Sequence, residues 1–121
     1  MIKMIGLFKR KEGMSYEDFV TYYEERHAVL AGTYLTGARR YERRYLRPLT
    51  SPTDGKVHEP AFDVVTEIWF DDRETLERVF GAIESSDLAD IIARDEENFF
   101  DRDRKRLFTV EAEIASILPT G

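Results

Sequence analysis

KMIGLFKRKEGMSYEDFVTYYEERHAVLA, residues 3–31, changes its hydrophobic period partway along. Residues 2–10 are a short apolar run ending on basic residues. As an extended chain they set Met4 and Phe8 on one face and Ile5 and Leu7 on the other, so both faces of this strand are apolar. Gly13 marks a turn. Ser15 then sits where a helix N-cap belongs, with Asp18 at the third helical position to complete a capping box and Met14 placed to staple against Phe19. From Tyr16 the period becomes helical. At 100° per residue Tyr16, Phe19, Val20, Tyr23, His27, Leu30 and Ala31 fall within about 60° of one direction, and Glu17, Asp18, Glu24 and Glu25 lie away from it. The spacing predicts a helix over 16–31, ended by Gly32.

The rest of the chain repeats this alternation of periods. Residues 38–47 (ARRYERRYLR) read as a strand with Tyr41 and Tyr45 on one face and Arg40, Glu42 and Arg44 on the other. Residues 48–60 (PLTSPTDGKVHEP) hold three of the four prolines and an Asp54-Gly55 pair, which marks a surface loop or a hairpin arm able to shape a ligand mouth. FDVVTEIWF, residues 62–70, has the clearest strand pattern: Phe62, Val64, Ile68 and Phe70 on one face, Val65, Glu67 and Trp69 on the other. Asp71 or Asp72 caps a helix with the stripe Leu76, Val79, Phe80 and Ile83. Ser85 or Ser86 restarts a helical pattern through Leu88, Ile91, Ile92, Asp95 and Phe99, and RLFTVEAEIAS, residues 106–116, closes as a strand. The order βαββαβ is the ferredoxin-like α+β arrangement, a four-stranded antiparallel sheet with helices on one face. Residues 1–121 thus read as one domain. The second face of the sheet is apolar on at least two strands, an exposed patch that a homodimer packed sheet to sheet would cover.

Composition narrows the function. The 121 residues carry a formal charge of −6, which disfavours nucleic acid and anionic membranes. The arginine clusters at 39–47 and 102–106 have acidic neighbours, as solvated faces do. There is no cysteine, which removes disulfides and thiol chemistry and suits the cytoplasm. No apolar run reaches the roughly 20 residues of a membrane span, and the N-terminus reads as a strand rather than a signal peptide. His27 and His58 are the only histidines, so no metal site is expected where three ligands must converge. Gly-rich phosphate loops, dinucleotide fingerprints and nucleophile elbows are missing, so no cofactor is expected either.

Several stretches together resemble the EthD-like family, named for ethyl tert-butyl ether degradation. The first is residues 3–31, with a strand ending in Lys-Arg, a Gly-Met turn and a helix that carries His27. FDVVTEIWFDD (62–72) and DEENFFDRDRKRLFTVEAEI (95–114) follow in order. The resemblance implies a dimeric α+β barrel. It implies little about chemistry, since members are linked to oxidative degradation, to isomerisation of small lactones and to polyketide-like tailoring.

His27 sits at the centre of its apolar stripe. Such an imidazole is either a core residue bonded to a carbonyl or tyrosine, or a general acid–base facing a cavity. The second alternative makes the protein a cofactor-independent oxidoreductase- or isomerase-type catalyst on a small apolar oxygenated molecule. In that reading Tyr23, Tyr41 and Glu67 position the substrate, and Trp69 and Phe99 act as walls. Glu67, if semi-buried, pairs either with His27 as a dyad or with an arginine of the second strand. The rival readings are a non-catalytic accessory or metabolite-binding protein supporting an oxidative pathway, and a filled structural dimer.

Overall fold

The computed structural model describes residues 1–120. In chain order the elements are β1 (Ile2–Phe8), α1 (Tyr16–Tyr22), a π turn (Tyr23–His27), α2 (Ala28–Tyr34), β2 (Ala38–Tyr45), β3 (Val64–Phe70), α3 (Arg73–Glu84), α4 (Leu88–Glu97), a 3-10 turn (Arg102–Arg104) and β4 (Arg106–Thr109). The strands form one antiparallel sheet in the order β2-β3-β1-β4, the α+β ferredoxin-like arrangement expected from the pattern.

Register decides which side chains meet the helices. Met4 pairs with Ile68, Gly6 with Thr66 and Phe8 with Val64, and all of these are buried. Tyr41 and Tyr45 of β2 join that face opposite Ile68 and Val64. The alternate residues Lys3, Ile5, Leu7, Val65, Glu67, Trp69, Arg40, Glu42, Arg44 and Phe108 face the other way.

Two clusters fill the space between sheet and helices. One gathers Phe8, Phe19, Tyr23, Val64, Phe99 and Phe100; the other gathers Met4, Ile68, Phe70, Leu76 and Val79. In the first, Phe8 and Phe100 stack with centroids 4.3 Å apart.

The caps match the local chemistry. Ser15 accepts from the Asp18 amide at 3.1 Å and Asp72 from the Thr75 amide at 2.8 Å. Other boundaries differ from the pattern. The first helix does not stop at Gly32. It carries a π turn, in which the Ala28 amide donates to the Tyr23 carbonyl, and it runs on to Tyr34 because Tyr34 and Leu35 pack inward. Gly37, with φ of 92°, makes the turn instead. The second helical segment starts after Asp87, which makes no side-chain cap bond; Ser86 accepts from the Leu88 amide at 3.3 Å instead. β4 covers four residues instead of eleven. After Val110, whose amide donates to the Lys3 carbonyl at 2.9 Å, β1 has almost no backbone left to pair.

Gly6 is the tightest point of the sheet. A Cβ there would lie 2.6 Å from Cζ and 2.9 Å from Cε2 of Phe8. The Phe8 ring is buried and stacked on Phe100, so it cannot simply swing aside. Gly6→Ala is therefore expected to lower stability by about 1–3 kcal/mol, read from urea unfolding, and an unchanged midpoint would refute the crowding.

Candidate functional site

A cavity of about 370 Å³ lies between the sheet and the helices, a size suited to a small organic molecule. β1 and β3 supply Met4, Thr66 and Ile68 to its wall, and β2 supplies Tyr41. The π turn and α2 supply Tyr23, His27, Ala31 and Tyr34. α3 and α4 close it with Phe80, Ile83 and Ile92, while Glu84, Glu96, Arg102 and Lys105 bring charge to it. The lining is mostly apolar with a few convergent polar groups.

His27 is 5% exposed. Its Nδ1 lies 2.8 Å from Oδ2 of Asp95 on α4. The carboxylate accepts, so Nδ1 is the donor, and the neutral imidazole is then the tautomer with its lone pair on Nε2. Among the described residues Nε2 takes no hydrogen-bond partner, and the only sealed side-chain nitrogen or oxygen without one is the Trp69 indole nitrogen. Nε2 therefore keeps some accessible surface, and His27 lines the cavity. Asp95 is itself held, since Tyr22 donates to Oδ1 at 2.6 Å and Asn98 donates to the Tyr22 hydroxyl at 2.9 Å. Burial, and then the hydrogen bond to Asp95, push the Tyr22 phenol upward, so it stays protonated as a donor. The whole is a base backed by a fixed carboxylate, the arrangement that activates a proton acceptor.

A second polar line runs across the cavity floor. The Tyr41 hydroxyl donates to Tyr23 at 3.2 Å, and Tyr23 and Thr66 share a bond of 2.6 Å. Burial raises the Tyr23 and Tyr41 phenols far above their ordinary range, so both are neutral donors. Behind them Arg43 makes two 2.7 Å bonds to Glu24, which also accepts from Tyr45. The hydrogen bond from Arg43 holds the Glu24 carboxyl below its usual value against the effect of burial. The guanidinium lies 4.6 Å from the Tyr41 ring centroid and so fixes that ring.

The structure thus brings His27, Tyr23 and Tyr41 of the expected set to one cavity. Phe99 lies beneath them as packing, its ring centroid 5.1 Å from that of His27, and is not part of the lining. Glu67 and Trp69 stand on the opposite face of the sheet. Glu67 bonds Arg44 at 3.1 Å. Its burial favours the neutral carboxyl, but the hydrogen bond from Arg44 outweighs that and keeps it low. Of the two partners expected for Glu67, the arginine of the second strand is the one found; His27 pairs with Asp95 instead, because strand alternation puts Glu67 and the imidazole on different sides of the backbone. Loop 48–60 contributes nothing to the lining. It folds as an arm closed by a Thr50–Val57 bridge, with His58 bonded to Asp54 at 2.7 Å.

Asp95, Thr66 and Tyr34 are the site residues that pattern reading missed. Asp95 lay in the inward stripe of its helix, and a carboxylate in such a stripe is the signal. Tyr34 lies seven residues after His27, on the same face of the helix once that helix continues past Gly32. No group of three or more potential metal ligands occurs among the described residues, and no helix is long and apolar enough to cross a membrane.

Comparison with known proteins agrees with this architecture. The model of a family described as the EthD domain matches residues 11–103. An ethyl tert-butyl ether degradation (EthD) family protein from Bacillus halodurans is similar with TM-score 0.65 and 23% identity, covering 93% of this chain and 99% of its own. An EthD-like protein from Ralstonia eutropha is similar with TM-score 0.64 and 19% identity, covering 95% and 94%. A dimeric protein of unknown function and ferredoxin-like fold from Bacteroides fragilis gives TM-score 0.55 and 12% identity, covering 92% and 95%. At these identities the likeness concerns the fold. No curated protein matches.

Removing the Asp95 carboxylate frees the imidazole tautomer. In long-range ¹⁵N–¹H NMR, His27 is expected to be the Nδ1–H form in the wild type and to shift toward Nε2–H in Asp95→Ala. An unchanged tautomer would show that Asp95 does not set it.

Proposed function

The chain belongs to the EthD family, and we propose that it binds a small, mostly apolar, oxygenated molecule in the cavity and moves a proton on it with His27. The observation that carries this reading is the buried imidazole in the cavity lining, its Nδ1 held 2.8 Å from Asp95 and its Nε2 without a partner from the protein. Such a base takes a proton from a carbon beside a carbonyl: the C–H bond breaks, an N–H bond forms, and the electron pair moves to the carbonyl oxygen as an enolate. The Tyr41–Tyr23–Thr66 chain spends two of its three hydroxyl hydrogens on its own bonds, and the third is the nearby donor for that oxygen. Asp95 balances the imidazolium, which returns the proton to the same carbon or to a conjugated one. The net change is exchange or isomerisation and needs no oxidant.

The test is solvent deuterium exchange into a panel of enolisable cyclic ketones and small lactones, followed by NMR. Wild type is expected to accelerate exchange of at least one member, and His27→Gln to lose about 10²–10⁴-fold while still binding it. Full exchange in His27→Gln would overturn the role of His27. Saturable binding without exchange in the wild type would favour the accessory, metabolite-binding reading.

We further propose that the protein is a homodimer, paired through the sheet face that bears Ile5, Leu7, Val65, Trp69 and Phe108. Phe108 is 51% exposed, and an apolar face of this kind asks for a cover. Light scattering at micromolar concentration is expected to give twice the protomer mass of 14.2 kDa. A monomer would refute the pairing.

A further inference from the structure

Tyr34 lines the cavity and has no part in the proton transfer. Its side chain is largely enclosed, yet among the described residues its hydroxyl takes no hydrogen-bond partner. It is also not among the sealed unpartnered atoms, so the hydroxyl stays accessible, in a residue that lines the cavity. A phenol in such a place has no acceptor from the protein and can donate to a ligand. Burial raises it well above its ordinary range, and the Tyr41 phenol and the Glu96 and Asp95 carboxylates add to the effect, so it offers a proton and no charge.

Its position relative to His27 is set by α2. Seven residues at 100° each bring Tyr34 to within about 20° of His27, two turns along the axis. Between them stands Ala31, 1% exposed and part of the lining. A methyl group there leaves a recess bounded by a base at one end and a phenol donor at the other.

We infer that Tyr34 is a second ligand-binding residue, donating a hydrogen bond to an acceptor oxygen at the end of the ligand away from His27. The ligand class is then a ring molecule with a hydroxyl or enolisable position at one end and a carbonyl oxygen at the other. This rests on the reading of the cavity as the binding site.

A matched probe pair tests it by calorimetric titration. 5-Hydroxy-1-tetralone carries a phenol and a ketone at opposite ends, and 5,6,7,8-tetrahydro-1-naphthol is the same bicycle without the ketone. Wild type is expected to bind the tetralone more tightly. Tyr34→Phe should lose about 3- to 10-fold for the tetralone and nothing for the naphthol, with its melting temperature unchanged. His27→Gln should weaken both. Equal losses for both probes, or none for either, would overturn the assignment of Tyr34 while leaving the site intact. Failure of the wild type to bind either probe would overturn the cavity reading and this inference with it. Ala31→Leu, which fills the recess, is expected to abolish binding of both probes, and retained binding would place them elsewhere.

Discussion

The 2.8 Å bond between His27 and Asp95 is the contact on which the rest of the site depends. It joins the π turn of the first helix to α4 across 68 positions of sequence, and it does so inside an apolar layer where an unpaired polar group is costly. Each partner needs the other. The imidazole gives the carboxylate a donor, and the carboxylate gives the imidazole a single tautomer. Tyr22 and Asn98 complete the accounting on the far side of Asp95, so the arrangement is fixed before any ligand enters. Pre-set geometry of this kind is what lets a weak base act without first reorganising its surroundings.

The π turn is the local device that serves this contact. It lies over Tyr23–His27, between two ordinary helical segments, and it changes the rotational phase of α2 relative to α1. Phe19 stays in the aromatic cluster, Tyr23 belongs to both that cluster and the lining, and His27, Ala31 and Tyr34 line the cavity. Departures from the α-helical bond pattern recur at functional sites for this reason, since one extra residue re-aims every side chain that follows. The cavity persists because the aromatic cluster on one side and the aliphatic cluster on the other meet only partway, with small residues such as Ala31, Ala89 and Ala93 between them.

The sheet separates two kinds of chemistry. Its helix-facing side carries hydroxyls and buried apolar groups around the cavity. The other side carries Glu42 and Glu67 bonded to Arg40 and Arg44, beside Trp69 under the cations of Lys3 and Arg40. Charged pairs at a partly exposed surface add little stability singly. Set among Ile5, Leu7, Val65 and Phe108, they would serve the proposed pairing as orienting elements, polar groups defining register and apolar ones supplying the area.

Strand and helix order, the ferredoxin-like class and the inward aim of His27 were legible in residues 2–34 and 62–70, because they follow from the period of apolar residues, which is a local property. So was the separation of Glu67 from Thr66, since alternation along a strand is built into the backbone. What answers the imidazole was not legible. Glu67 and Asp95 are both carboxylates in otherwise apolar patterns, and only the packing of α4 against the first helix chose between them. The extent of that helix was decided in the same way. Gly32 is a sufficient local stop, yet burying Tyr34 and Leu35 outweighs its preference, and that gain exists only once the sheet is beneath them. Periodicity thus determined which faces turn inward. Which inward-facing groups meet depends on contacts between elements far apart in the chain, and only the tertiary structure settled those.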